Sequence, residues 1–342
     1  MNHLEILGLL LIIFFLINKF LISKKIFIDP KNNSYHKSFL KNTGDTPYSG
    51  GIIILLSSLI FFSFKFPYLT FFIVLLFSIG LLSDLEVIKS PFRRIIFQII
   101  IISAYLIISK NLVPYTRIEF LDIFFENFYV KFFFTLFCIL VLINGSNFID
   151  GVNTLAATYY LMVFACFIYL KYNFHHLQQH DVFIEEVIVL ALFVFLIFNF
   201  FGKAYLGDNG AYLISFIVGT TSISWVNTHV TISPYFVVCL LWYPAFENLF
   251  SIIRKKIQKF PASNPDNKHL HQLLFILLKK NFKFNPKLTN TLTGFIINIY
   301  NFFIFLIAVN FHSETKILVS IIIFNVFIYC SVYYFLIKNN KK

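Results

Sequence analysis

Long apolar runs follow one another along almost the whole chain, and they constrain the fold more than any other feature. Of the 342 residues, 58% are hydrophobic and 13% are charged, which is more apolar surface than a soluble fold of this length can bury. A helix crosses a bilayer with about 20 apolar residues, so we predict an all-α, polytopic integral membrane protein. Eleven runs reach that length, several only with flanking residues: 4–22, 51–64, 68–82, 95–108, 128–143, 155–170, 182–201, 211–225, 232–253, 288–309 and 317–337.

Basic residues predict the orientation of these helices. The connections alternate between long or motif-bearing segments and plain ones, and 22 of the 28 Lys and Arg residues lie in or border the first set. Cytoplasmic loops of membrane proteins carry an excess of Lys and Arg. We therefore expect the motif-bearing segments and the carboxyl terminus on the cytoplasmic side, and the amino terminus outside. The net charge of +12 then reports topology, and no nucleic-acid partner is predicted.

Two further segments complete the predicted organisation. The run at 4–22 has no Lys or Arg ahead of it and no small-residue cleavage site, so we expect a transmembrane helix and not a removable signal peptide. Segment 254–287 is a polar cytoplasmic loop ending in an apolar patch at 271–278, where we expect an interfacial helix. Residues 1–342 show no internal repeat, and we predict a single membrane domain.

The segment NGSNFIDGVN, at 144–153, places polar residues between two apolar runs. Polar and ionisable groups at membrane depth are costly, so by default they face a cavity and mark a functional site. The alternative is a polar reverse turn, which needs Gly and Asn but has no need of the carboxylate of Asp150. We therefore interpret the segment as part of a site.

Three more polar clusters fall on the same side: SDLEVIKSPFRR, YLGDNGAYL and NPDNKHLHQLL. Carboxylates and an amide oxygen suit Mg²⁺ or Mn²⁺, while Arg, Lys and His neutralise a diphosphate. Together these residue types indicate phosphoryl transfer. Two of these clusters also have a simpler interpretation. Asp208 suits a helix N-cap. His269 and His271 suit solvated loop residues, and a metal pair on a helix is not expected because positions i and i+2 do not share a helix face.

In their order along the chain, the motifs SD…R, N..NF.DGVN.LA, LGDNGAYL and DNKHLHQLL resemble those of the polyprenyl-phosphate N-acetylhexosamine-1-phosphate transferases. These membrane enzymes start peptidoglycan, O-antigen, enterobacterial common antigen and eukaryotic N-glycan lipid intermediates. The segment YHKSFLKNTGDTPYSGG, which contains His36, also resembles the family's first cytoplasmic loop, so the resemblance covers nearly the whole chain. DNKHLHQLL is more similar to transferases acting on UDP-N-acetylglucosamine-type donors than to muramoyl-pentapeptide enzymes, whose loop carries consecutive histidines.

The resemblance implies a role for each motif. Asp208 falls on the family's main metal ligand and Asn147 on an assisting amide, with Mg²⁺ or Mn²⁺ as the ion. Asn153 falls near the position that contacts uracil, and His269 and His271 fall on the diphosphate-binding loop. The catalytic residues expected on this basis are Asp84, Asp150 and Asp208, and the further substrate-binding residues are Gly151, Arg93, Lys268 and His36.

The chain departs from the family pattern most seriously at Ser83, where the first carboxylate of a paired acidic motif is missing. That carboxylate has been assigned as the base that deprotonates the lipid phosphate. A phosphate monoester has its second pKa near 6, so at pH 7 most of it is already the dianion, and the loss need not abolish activity. The other departures are Asn153 in place of the usual bacterial Asp, Gln272 in place of a further histidine, and Tyr48-Ser49 where basic residues are common.

The predicted activity is attack of a polyprenyl phosphate on the β-phosphorus of a UDP-N-acetylhexosamine, most simply UDP-GlcNAc, at the cytoplasmic face of the bacterial inner membrane. The alternatives are a phospho-N-acetylmuramoyl-pentapeptide transferase, a degenerate inactive paralogue, and a transporter, which predicts mid-span ionisable residues and repeated halves. Whether the protein forms a homodimer stays open. The outer-face cluster of His175, His176, His180 and Asp181 is interpreted as a solvated loop.

Overall fold

The computed structural model describes residues 2–28, 46–174, 177–178, 181–259, 268–282 and 284–340, and these are almost entirely helical. Within those ranges there is no β-strand, only isolated bridges that pair Ile28 with Pro47 and Tyr48 with Tyr205. The helices are α1 (His3–Lys24), α2 (Gly50–Phe61), α3 (Pro67–Asp84), α4 (Pro91–Ser109), α5 (Glu119–Phe125), α6 (Phe128–Ile149), α7 (Leu155–Asn173), α8 (Phe183–Phe200), α9 (Gly207–Thr228), α10 (Pro234–Ile257), α11 (Leu270–Phe282), α12 (Pro286–Asn310) and α13 (Thr315–Asn340).

Each of the eleven predicted apolar runs overlaps one of these helices, and the all-α, polytopic class is confirmed. The runs 51–64, 182–201 and 232–253 extend beyond the ends of α2, α8 and α10. In the described part of the chain nine helices are long and apolar enough to cross a membrane. The two remaining runs lie in α2, which has 12 residues, and in α9, which has 22 residues but a more polar composition. The number of crossings and the orientation of the termini stay predictions. The apolar patch expected to form an interfacial helix is indeed helical, as part of α11.

Helix α9 forms the centre of the molecule and is buried on almost all sides. It packs against α2, α3, α6 and α7. Several of its hydroxyl groups donate hydrogen bonds to backbone oxygens of the preceding turn, as Ser215 does to Ala211 at 2.5 Å and Thr220 to Phe216 at 2.8 Å. These hydrogen bonds lower the cost of placing a polar helix in the apolar interior.

Small residues let neighbouring helices approach the amino-terminal end of α9. A Cβ added to Gly80 of α3 would lie 2.4 Å from the Cα of Asn209, and one added to Gly51 of α2 would lie 1.9 Å from the Asn209 side-chain oxygen. No larger residue fits at either position without displacing backbone. The carboxyl-terminal end of α3 and the start of α9 are thereby held in direct contact.

Helices α6 and α10 cross closely where α10 contains Pro244. Proline has no N–H, so it removes the hydrogen bond that the carbonyl of Leu240 would receive inside the helix. The buried hydroxyl of Tyr159 replaces it, donating to that carbonyl at 2.7 Å. A Cβ on Gly145 of α6 would lie only 2.0 Å from the Pro244 carbonyl oxygen. This crossing positions the end of α6 that carries the NGSNFIDGVN segment.

Candidate functional site at the amino terminus of α9

Asp84, the last residue of α3, caps the first turn of α9. Its Oδ1 accepts a hydrogen bond from the backbone N–H of Asp208 at 2.9 Å. Its Oδ2 accepts from the Asn209 backbone N–H at 3.0 Å and from the Asn209 side-chain amide at 2.7 Å. The first N–H groups of a helix have no partner inside it and favour negative charge. Asp84 therefore fixes α3 to α9 at the point where two of the sequence motifs meet.

Asp208 is not the N-cap that its sequence context also suggested. It lies inside α9, whose N-cap position is Leu206, and Leu206 makes no side-chain cap. The Asp208 carboxylate instead accepts hydrogen bonds at Oδ2 from Arg94 at 2.8 Å and from the Ser83 hydroxyl at 2.5 Å. Arg94 also donates to the Ser83 oxygen at 2.8 Å. The Asp208 side chain is 15% exposed, so this carboxylate lies at the edge of the protein interior, where a ligand can reach it.

Asp150, directly after α6, reaches the same helix terminus. Its Oδ2 accepts a hydrogen bond from the backbone N–H of Gly207 at 3.2 Å. Gly207 has a φ of +75°, and a Cβ there would lie 2.8 Å from an Asp84 oxygen, so only glycine fits. Asn147 is half-buried one turn before Asp150 on the same face of α6. Residues from three separate motifs thus meet around the first turn of α9.

Asn153 lies next to this site in a buried polar network. Its backbone N–H donates to the Asn290 side chain of α12 at 2.7 Å, and the following N–H, of Thr154, donates to Asn199 of α8 at 2.7 Å. Asp150, Asn153, Asn199 and Asn290 line a cavity of about 20 Å³ together with Gly151, Val152 and Tyr205. The turn after α6 is therefore held by amides from α8 and α12 and is adjacent to the carboxylates.

The histidine loop is fixed by a buried carboxylate of α10. Nδ1 of His269 lies 2.9 Å from Oε1 of Glu247, and the Tyr329 hydroxyl of α13 donates to Oε2 of the same carboxylate at 2.8 Å. The His269 ring stacks on that of His271, with centroids 5.8 Å apart. A Cβ on Gly151 would lie 2.2 Å from Nε2 of His271, which places this loop against the segment that ends α6.

The sequence of the chain was compared with protein families and with curated proteins. The model for Glycosyl transferase family 4 matches residues 66–226, the part of the chain that supplies Asp84, Asp150 and Asp208. Over this segment, the chain is similar to the members of this family. The resemblance drawn from the motifs is thereby confirmed, and the match ends before the histidine loop.

Curated proteins similar to this chain extend the comparison. A probable undecaprenyl-phosphate N-acetylglucosaminyl 1-phosphate transferase of Bacillus subtilis is 24% identical over 249 residues, 72% of this chain and 68% of that protein. A decaprenyl-phosphate N-acetylglucosaminephosphotransferase of Mycolicibacterium smegmatis is 28% identical over 39% of this chain and 37% of its own length. A phospho-N-acetylmuramoyl-pentapeptide-transferase of Dictyoglomus turgidum is 30% identical over 52% of this chain and 59% of its own length.

Not every predicted site residue of the chain lies at the α9 terminus. Arg93 is exposed, and it is the next residue, Arg94, that contacts Asp208. Lys268 is exposed, and its amine donates to the side chain of Gln258 at 3.1 Å. His36 lies outside the described residues. Sequence reasoning missed Arg94, the hydrogen bond of Ser83, Glu247 and Asn290.

The residues of the site fit a magnesium ion that keeps water and phosphate ligands. No group of three or more His, Cys, Asp or Glu side chains in the described ranges is arranged to hold a metal. Magnesium, however, usually binds through one or two carboxylates plus substrate phosphates. Both oxygens of Asp84 are used by α9, whereas Oδ1 of Asp208 receives no hydrogen bond from the described residues. Asp208 is therefore the carboxylate that would hold the ion.

Proposed function

We propose that this protein transfers N-acetylglucosamine-1-phosphate from UDP-GlcNAc to a polyprenyl phosphate such as undecaprenyl phosphate, releasing UMP. The reaction would take place at the cytoplasmic face of the bacterial inner membrane. The observation that carries the proposal is the convergence of Asp84, Asp150 and Asp208 on one helix terminus, with Arg94 between two of the motifs. The relatives from Bacillus subtilis and Mycolicibacterium smegmatis are named for this kind of transfer.

The electrostatics of the site suit a diphosphate. The amino terminus of a helix attracts anions through its free N–H groups and its dipole, and Arg94 supplies a permanent positive charge beside it. Mg²⁺ or Mn²⁺, held by Asp208 with Asn147 assisting, would neutralise the diphosphate and polarise its phosphorus–oxygen bonds. In the reaction an oxygen of the lipid phosphate forms a bond to the β-phosphorus, and the bond from that phosphorus to the UMP oxygen breaks.

The absence of a second carboxylate at position 83 is compatible with this chemistry. The lipid phosphate is mostly a dianion above pH 7 and needs no base to become a nucleophile. Ser83 instead donates a hydrogen bond to Asp208 and accepts one from Arg94, which orients both charged groups. Phosphoryl transfer depends mainly on positioning and charge neutralisation, and a serine in this position contributes to the first of these.

The histidine loop would bind the sugar-nucleotide. Glu247 fixes the ring of His269 through Nδ1, as carboxylates fix the functional histidines of many sites. His271 packs against Gly151, and Asn153, two residues further on, is the proposed contact of uracil. Lys268 and Arg93 are exposed, so their proposed role is limited to attracting the anionic substrate.

The test is UMP release by the purified protein with undecaprenyl phosphate, MgCl₂ and a panel of UDP-sugars. The proposal predicts release with UDP-GlcNAc that depends on both the lipid and the divalent cation. No release with any UDP-sugar would overturn the proposal.

The pentapeptide transferase stays the second candidate because of the relative from Dictyoglomus turgidum. Release of UMP only with UDP-N-acetylmuramoyl-pentapeptide in the same panel would select this second activity. Light scattering of the purified protein in detergent would determine whether it forms a homodimer.

A further inference from the structure

A large cavity lies at the other end of α9 from Asp208. It has a volume of about 540 Å³, within the range of small-molecule sites. We call it the distal cavity, and it is lined by Lys65, Phe66, Leu69, Tyr105, Asn111, Asp181, Ile184, Glu185, Thr220, Thr221, Ser224, Thr228 and His229. Thr220 is twelve residues along α9 from Asp208, which corresponds to about 18 Å of helix. The distal cavity is therefore separate from the proposed active site.

The most unusual group in the distal cavity is the carboxylate of Glu185. The residue is 2% exposed, and its Oε1 accepts a hydrogen bond of 2.8 Å from the indole N–H of Trp225. It forms no salt bridge with a cationic side chain of the described residues. Burial of a charge is costly unless the charge is paired, so this carboxylate is suited to a positively charged ligand.

The lysine that lines the distal cavity, Lys65, forms an ion pair with a carboxylate other than Glu185. Lys65, at the mouth of the distal cavity, forms an ion pair with Asp181, and its amine lies 5.5 Å and 5.6 Å from the ring centroids of Phe66 and Phe183. The side chains of Lys65 and Asp181 are 55% and 45% exposed, so this pair marks the opening. Asp181 belongs to the cluster interpreted from the sequence as a solvated loop, and it also lines the distal cavity. The other members of that cluster, His175, His176 and His180, lie outside the described residues.

Hydroxyl and amide groups in the remaining polar wall offer hydrogen-bond acceptors. The hydroxyl of Thr220 donates to the Phe216 carbonyl at 2.8 Å, and that of Thr221 donates to the Ile217 carbonyl at 2.9 Å. The amide nitrogen of Asn111 donates to the Thr220 carbonyl at 2.8 Å. Because a hydroxyl that donates its one proton still has acceptor lone pairs, these groups are suited to a ligand rich in N–H donors.

We propose that the distal cavity binds a primary alkylammonium group, with its charge against Glu185 and its N–H groups directed at the hydroxyl oxygens of α9. The aromatic ring of Tyr105 in the wall adds a surface on which cations bind favourably. The same chemistry is available from a phosphatidylethanolamine headgroup and from a free amine such as ethanolamine. The proposal is independent of the reaction proposed above.

Trp225 provides the test, because it is one of only two tryptophans in the chain and is hydrogen-bonded to Glu185. In a Trp242→Phe background, ethanolamine is titrated into the protein in detergent, and the protein is also placed in nanodiscs with phosphatidylethanolamine or phosphatidylcholine. We expect a saturable change in Trp225 emission with a primary amine and none with phosphatidylcholine, whose quaternary ammonium has no N–H. A response to ethanolamine identifies a free amine as sufficient, and a response only to phosphatidylethanolamine identifies the lipid headgroup.

Variants make the result specific to the carboxylate. Glu185→Gln keeps the side-chain shape and should weaken binding at least about tenfold, as expected for a lost hydrogen bond to a charged group. Glu186→Gln is the matched control, because Glu186 accepts from the Tyr172 hydroxyl at 2.8 Å and does not line the distal cavity. Ser224→Leu, which fills the cavity without removing the charge, should abolish the response and serves if Glu185→Gln does not fold.

Three results would overturn the proposal. The first is no saturable change with either amine. The second is the same change with sodium chloride alone, which would indicate an inorganic cation. The third is unchanged affinity in folded Glu185→Gln, with folding judged by thermal melting of the purified variant.

Discussion

At the scale of single residues, the neighbouring carboxylates of Asp84 and Asp208 have different roles in the site. Asp84 uses both oxygens to cap α9, and Asp208 turns one oxygen to Arg94 and Ser83. The sequence alone suggested Asp208 as the cap of α9 as one alternative. In the structure Gly207 has a positive φ, and the N–H groups of Asp208 and Asn209 that follow it donate to Asp84 at the end of α3.

Ser83→Asp is predicted to leave the rate of UMP release at pH 7.5 within about tenfold of wild type. A general base supplies about 10² to 10⁴ in rate only where a proton must be removed, and the lipid phosphate is mostly deprotonated at this pH. Below about pH 6 the phosphate takes up its second proton, wild-type activity should fall, and Ser83→Asp should recover part of the loss. The measurement is a pH–rate profile of both proteins.

A wild-type protein inactive at every pH, with activity appearing only in Ser83→Asp, would identify a degenerate paralogue. The account of Ser83 as a positioning residue would then be wrong.

At the scale of secondary-structure elements, the site is the meeting point of helix ends. The carboxyl-terminal ends of α3 and α6 meet the amino-terminal end of α9, and α10, α11 and α13 meet at Glu247. Glu247 lies inside an apolar run with no motif around it, so nothing in the sequence marks it as a partner of His269. Because Glu247 connects α10 to the histidine loop, we predict that a substitution of Glu247 affects substrate binding.

Glu247→Gln is predicted to raise the KM for UDP-GlcNAc about 10- to 100-fold, the range seen when a carboxylate that orients a functional histidine is replaced. Glutamine still accepts a hydrogen bond from Nδ1 of His269 but carries no charge. Tyr329→Phe removes one hydrogen bond from the same carboxylate and should have a smaller effect in the same direction. The measurement is kcat and KM for each variant beside its thermal melting temperature.

Tyr300→Phe is the matched control, because it removes a hydrogen bond of 2.6 Å between α12 and α13 that does not involve the histidine loop. An equal loss of activity in Tyr300→Phe and Tyr329→Phe would assign Tyr329 a purely structural role.

At the scale of the whole molecule, hydrophobic patterning was sufficient to locate the helices, and motif order was sufficient to find the family. What the sequence did not determine is the rotation of each helix about its own axis. Arg93 and Arg94 are adjacent and chemically identical, and only the packing of α4 against α3 decides that Arg94 faces Asp208. Asn290 was missed for a different reason, because its partner Asn153 is 137 residues away in the sequence.

The predicted orientation of the protein in the membrane can be tested by cysteine labelling at two exposed positions. In a variant without native cysteines, a cysteine at Lys259, after α10, should react with a membrane-impermeant reagent only from the cytoplasm. A cysteine at Asn173, at the end of α7, should react only from outside. The reason is the asymmetric distribution of Lys and Arg among the loops. Labelling of both positions from the same side would refute the predicted topology.

The most direct test of the central claim is UMP release by Asp208→Asn in the UDP-GlcNAc assay. Asparagine keeps the size of the side chain and can still accept the hydrogen bonds of Ser83 and Arg94, but it lacks the charge that holds a divalent cation against a diphosphate. We predict a loss of at least about 10² in rate, equivalent to about 2.7 kcal/mol or more of transition-state stabilisation. The melting temperature should stay close to that of wild type, and Glu119→Gln, which removes an exposed carboxylate of α5, should remain fully active. Activity of folded Asp208→Asn within a few-fold of wild type would contradict the claim that this carboxylate is the centre of the site.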